Sequence, residues 1–225
     1  MRVHLARDLE KLKEEILTMG GMVEEATSKA IDALVNRRLD LAEEVARSDD
    51  KIDTKELEVE EACLKTLALY QPVAGDLRYI VSILKVNNDL ERMGDLAIHI
   101  AERARFLAGE PPIGMPEKFD EMVDLVQSMV KQSLDSLVRK DAELAKRVII
   151  TDDRVDDIYW NIYRGLLERM RNEIDIMDRA FATISACRHL ERIGDLATNI
   201  AEDVYFIVRG EVIRHRLETG SREDN

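Results

Sequence analysis

Apolar residues recur at spacings of three and four along most of this chain, the pattern of helices with one buried face. From about Leu5 to Asn36 the buried positions read Leu9, Leu12, Ile16, Met19, Val23, Ala26, Ala30 and Ala33. A short connecting piece, Asp40 to Arg47, follows. Ser48 reads as the N-cap of a second helix ending at about Tyr70, with Asp49 and Asp50 in its first turn. After Gln71-Pro72-Val73-Ala74-Gly75, Asp76 reads as the cap of a third helix that reaches about Ala108. Residues 109–116 then hold three of the four prolines and interrupt the periodicity.

The same plan returns. Leu90-Glu91-Arg92-Met93-Gly94-Asp95-Leu96-Ala97 recurs 100 positions later as Leu190-Glu191-Arg192-Ile193-Gly194-Asp195-Leu196-Ala197, and both copies continue into Ile-Ala-Glu. Ser48-Asp49-Asp50-Lys51-Ile52-Asp53 corresponds to Thr151-Asp152-Asp153-Arg154-Val155-Asp156. A repeat this long predicts one unit built twice. The expected fold is all-α: two tandem pseudo-repeated three-helix bundles, residues 1–108 and 117–225, joined by a linker at 109–116. The polar stretch from about Thr219 to Asn225 is expected to fray.

Composition sharpens this picture. Aromatics are 4% of the 225 residues, which disfavours strands. A formal charge of −13 repels nucleic acid and anionic membranes and attracts cations and basic partners. No apolar run approaches the roughly 20 residues needed to span a bilayer, and the first residues lack a signal peptide's apolar core. Cys63 and Cys187 stand alone in amphipathic segments and read as reduced core residues of a cytoplasmic protein.

The repeated phrase carries acidic residues away from its apolar seam. At about 100° per residue, Glu91, Asp95, Ile98 and Glu102 share one arc, while Val86, Leu90, Met93, Ala97, Ile100 and Ala104 share another. Glu191, Asp195 and Glu202 repeat the arrangement, with Asn199 where the first copy has His99. These carboxylates are expected to face outward or into a groove. The preceding helix has its own acidic stripe, Asp49, Asp53, Glu56 and Glu60; the second half keeps Asp152 and Asp156 but has Tyr159 and Tyr163 next. A hairpin turning near residues 73–74 sets Glu91 opposite Glu56 and Asp95 opposite Ile52, flanked by Asp49 and Asp53. One turning near 173–174 sets Glu191 opposite Asp156 and Asp195 opposite Asp152. Such crowding calls for a counter-cation, and an all-oxygen set suits Mg²⁺, Ca²⁺, Mn²⁺ or ferric iron. The competing explanation is a solvated charged face, with Asp49, Asp50, Asp152 and Asp153 as ordinary first-turn residues favoured by the helix dipole.

The doubled L-E-R-[MI]-G-D-L-A phrase, each copy preceded by a D-D-x-[IV]-D segment, resembles the PhoU family of phosphate-transport regulators over nearly the whole chain. The resemblance implies two three-helix bundles and multinuclear metal clusters, iron among them, with Glu91, Asp95, Glu191 and Asp195 as ligands. It implies a non-enzymatic role: restraining phosphate uptake through a phosphate ABC transporter and repressing the starvation response. The expected partners are the transporter's ATPase subunit and a sensor histidine kinase. Long helical faces and bridging ions also allow a homodimer. Two alternatives compete, a di-iron carboxylate enzyme and a metal-free helical interaction module. The first needs Glu-x-x-His, and Leu96, Ala186 and Val212 stand three before His99, His189 and His215.

Overall fold

The computed structural model describes residues 2–211. Among these residues the helices are α1 (Arg2–Asn36), α2 (Leu39–Tyr70), α3 (Ala74–Ala108), α4 (Phe119–Arg139), α5 (Ala142–Asn172) and α6 (Met177–Arg209), with a 3-10 turn at Ile174–Ile176. Helices α1, α2 and α3 pack on one another, and α4, α5 and α6 do the same. The stretch expected to fray, Thr219 to Asn225, lies outside the described residues.

The seam follows the expected periodicity. Val86, Leu90, Met93, Ala97, Ile100 and Ala104 are each at most 2% exposed, and Leu190, Ile193, Ala197 and Ile200 at most 1%. Cys63 and Cys187 are free and buried, and burial pushes both thiols up to about 12.

The two bundles meet chiefly through α3 and α6, with α1 also against α4. Lys85 Nζ reaches Asp203 Oδ1 at 2.8 Å, and the rings of His99 and His189 lie 5.2 Å apart. These contacts define an antiparallel register that brings Gly94 level with Gly194. The equivalent helices of the repeat thus cross about a pseudo-twofold axis.

Two expected helix starts are overturned. Helices α2 and α5 run without a break through Ser48 and Thr151. The stretch assigned as a connection buries Ala42 and Val45, which gives it a packing face of its own. The two hydroxyls are turned back onto the helix, Ser48 Oγ donating to the Val45 carbonyl and Thr151 Oγ1 to the Arg147 carbonyl. The side chain that does cap α5 is Asp141, which accepts from the backbone N–H groups of Glu143 and Leu144 at 3.0 Å each. Asp76 does not cap α3; Val73 occupies that position and Asp76 lies in the first turn.

The proline-rich linker is held at several points. Arg37 donates to the carbonyls of Ala108 and Glu110, Arg179 to that of Pro111, and Arg169 to that of Ile113. These donors satisfy carbonyls that no helix ladder reaches.

Candidate metal centre

The α2–α3 hairpin departs from the expected register by one residue at Ile52, which meets Gly94 where Asp95 is expected. It departs by one turn at Glu56, whose carbonyl accepts from Asn87 at 2.9 Å where Glu91 is expected. A Cβ on Gly94 would lie 3.1 Å from Ile52 Cδ1, so the missing side chain lets the two helices approach closely. That approach brings Asp95 toward Asp49 and Asp53. Burial raises the Asp49 carboxyl above its usual range, and the charges of Asp53 and Asp95 raise it further. Burial likewise raises Glu91, reinforced by Asp95, Asp53 and Glu56 and opposed by Arg92. Glu56 is raised by burial, then by Glu60 and Asp53. Five of the first-half carboxylates named from the sequence, Asp49, Asp53, Glu56, Glu91 and Asp95, thus share one electrostatic neighbourhood.

The second cluster is tighter. Asp156, Glu191 and Asp195 each offer a carboxylate oxygen, all within 4.8 Å of one another. Asp152 belongs with them: burial, then Asp195 and Asp156, push it up to about 7 against a hydrogen bond with Thr198. Burial and the adjacent Asp195 push Glu191 up to about 8, with Arg188 opposing. Burial also raises Asp195 and Asp156, and Arg188 opposes both. Gly194 is the equivalent of Gly94 but is not crowded: a Cβ there would meet Met129 Cε and Val155 Cγ1 at 3.7 Å and Asp152 Oδ1 at 3.8 Å, ordinary contact distances.

Glu191 departs from the expected outward orientation. It is 5% exposed and forms the floor of its cluster, whereas Glu91 is half-buried. The difference traces to neighbours that the first half lacks. Arg188 bonds Glu191 and lies over the ring of Tyr159, itself buried, where the first half has Asn88 and Glu56. Glu102 is drawn toward His99 and Arg103, at 3.4 and 3.5 Å. Glu202 is half-buried about two turns beyond Asp195, and neither belongs to the close group of three.

The unbroken helices also remove an explanation. Asp49 lies ten positions after the start of α2 and Asp152 ten after the start of α5. The dipole's benefit fades within the first turn, so it cannot account for these aspartates. The donor set fits a hard cation. Glu191 Oε2 and Asp156 Oδ1 are buried and receive no bond from a neighbouring N–H or hydroxyl. The two carboxyls can bond each other only while Glu191 keeps its proton, and once it is lost the arrangement costs free energy unless a positive charge offsets it. Asp95 and Asp195, with Arg92, Arg192, His99 and Asn199, line a groove between α3 and α6, so both clusters open onto one surface. Arg188 and Thr198 are the site residues that sequence reasoning missed. Aligning the two copies exposes the first, because Arg188 stands against Asn88.

The pattern of the PhoU domain family matches residues 16–104 and again 119–204. The chain belongs to the PhoU family. Each PhoU domain holds one of the two acidic clusters. Among relatives, a "Phosphate-specific transport system accessory protein PhoU homolog" of Aquifex aeolicus is 42% identical over 94% of this chain and 96% of its own length. One of the same description from Pseudomonas aeruginosa is 41% identical over 96% of this chain and 90% of its own. The crystal structure of PhoU from Pseudomonas aeruginosa superposes with a TM-score of 0.87 at 40% identity, covering 92% of this chain and 99% of that one. The phosphate transport system regulatory protein PhoU from Streptococcus pneumoniae gives 0.87 at 28% identity, over 92% and 98% of the two chains. No described helix is long and apolar enough to cross a membrane.

Proposed function

We propose that this chain is a cytoplasmic regulator of phosphate uptake that carries metal ions at its two acidic clusters. It works by contact, engaging the ATPase subunit of the phosphate ABC transporter and the sensor kinase of the starvation response. The observation that carries this reading is near full-length similarity to accessory proteins of the phosphate-specific transport system. Glu91, Asp95, Glu191 and Asp195 are the central ligands; Asp49, Asp53, Asp152 and Asp156 complete the sets from the facing helix, and Glu56 extends the first. Glu102 and Glu202 join only if a multinuclear cluster extends along α3 and α6. Iron, manganese and magnesium all suit these oxygens.

Bound cations would turn two strongly negative patches into surfaces that an acidic or neutral partner can approach. The test is co-purification of the chain with the transporter's ATPase subunit, with and without chelator. Retention that chelator weakens supports the reading. Failure to associate in either condition removes the contact mechanism.

A further inference from the structure

The two clusters are alike in their carboxylates and unlike in what already neutralises them. In the second, the Arg188 guanidinium donates to Glu191 Oε1 and lies 5.4 Å from the centroid of the Tyr159 ring. Its charge acts on Asp156, Glu191 and Asp195, the same three residues whose oxygens converge within 4.8 Å. Glu191 is 5% exposed, and its other oxygen, Oε2, is buried with no N–H or hydroxyl donor on it, so Arg188 answers only part of the cluster's demand for positive charge. In the first half the equivalent residue is Asn88, which carries no charge, and Glu56 replaces Tyr159; the positive charge felt by Glu91 there is that of Arg92, which makes no ion pair with it among the described contacts.

We propose that Arg188 is a resident counter-cation that a metal ion must displace from the second cluster, so that Arg188 sets that cluster's metal affinity. This rests on the metal-binding reading above. The first cluster takes a metal by simple addition; the second takes it by exchange. The exchange is sterically open: the Arg188 side chain is 48% exposed and is already supported on the Tyr159 ring, where a guanidinium is favourably placed. Glu191 Oε1 cannot present to a metal the lone pair that accepts from Arg188, so a metal that takes both Glu191 oxygens must displace the guanidinium. Loading the second cluster therefore moves a positive charge outward at the protein surface, and loading the first has no such consequence.

The test is Mn²⁺ titration of the full chain, followed by loss of the free-ion EPR signal. A Glu91→Ala/Asp95→Ala parent isolates the second cluster. Arg188→Asn in that parent should bind Mn²⁺ roughly tenfold to a hundredfold more tightly, the worth of one charge-assisted hydrogen bond. Arg188→Lys, which keeps the charge, should stay within about threefold of the parent, less than the worth of such a bond. The reciprocal change uses an exposed position and spares the core: Asn88→Arg in a Glu191→Ala/Asp195→Ala parent should weaken Mn²⁺ binding at the first cluster. Unchanged or weaker binding in Arg188→Asn, with the parent still binding, makes Arg188 a structural anchor and overturns the proposal alone. A parent that binds no Mn²⁺ overturns the metal reading of the second cluster and this proposal together.

Discussion

Glu191→Gln should stabilise the metal-free protein while weakening its hold on metal. The buried Glu191 carboxyl is pushed up to about 8 by desolvation and by Asp195. Its folded-state pKa lies above the unfolded value, so the native state holds a proton that the unfolded chain releases. Stability therefore falls as pH rises from about 4.5 toward 8, and the penalty is complete above that window. For an isolated carboxyl that displacement is worth about 5 kcal/mol. Coupling to Asp195 and Asp156, and adjustment of the half-exposed Arg188, reduce this to about 2 kcal/mol. Glutamine keeps the oxygen that accepts from Arg188 and removes the charge. In a chain of this size, the melting temperature at pH 8.5 with chelator should rise by about 4–8 °C. At pH 5 it should hardly move, because Glu191 is already protonated there. The assay is calorimetry at the two pH values. A variant that melts lower than wild type at pH 8.5 would mean that Arg188 already balances the cluster, and the need for a cation would disappear.

Asp141→Ala should cost about 1 kcal/mol in urea unfolding, whereas Ser48→Ala should stay within about 0.5 kcal/mol, because Asp141 caps α5 and Ser48 lies inside α2. The reverse order would restore a helix start at Ser48. Gly94→Val should destabilise by about 1–3 kcal/mol through overpacking, since even its Cβ would press on Ile52 at 3.1 Å. The same variant should bind Mn²⁺ more weakly at the first cluster, because Asp95 moves off Asp49 and Asp53; unchanged affinity would show that the close helix approach does not assemble the site.

Much of this arrangement was legible in the periodicity. The seam from Val86 to Ala104 and the pairing of Glu191 with Asp156 need only 3.6 residues per turn and a turn position. The failures have a common cause. Ser48 and Thr151 are good caps locally, yet Ala42 and Val45 gain more by packing than by ending the helix, and propensity yields to burial. The burial of Glu191 was hidden because it depends on Arg188 and Tyr159, where the two copies diverge. The linker shows the same limit. Its prolines announce a break, while the arginines that hold it lie on α1, α5 and α6.

The most direct measurement is the metal content per chain of protein purified from its native source without chelator, set beside Glu91→Ala/Asp95→Ala/Glu191→Ala/Asp195→Ala. Elemental analysis should find iron, manganese or magnesium bound to the wild type and most of it gone from the variant, with helicity unchanged by circular dichroism. Equal metal content in the two proteins would contradict the claim that these paired carboxylates are cation sites.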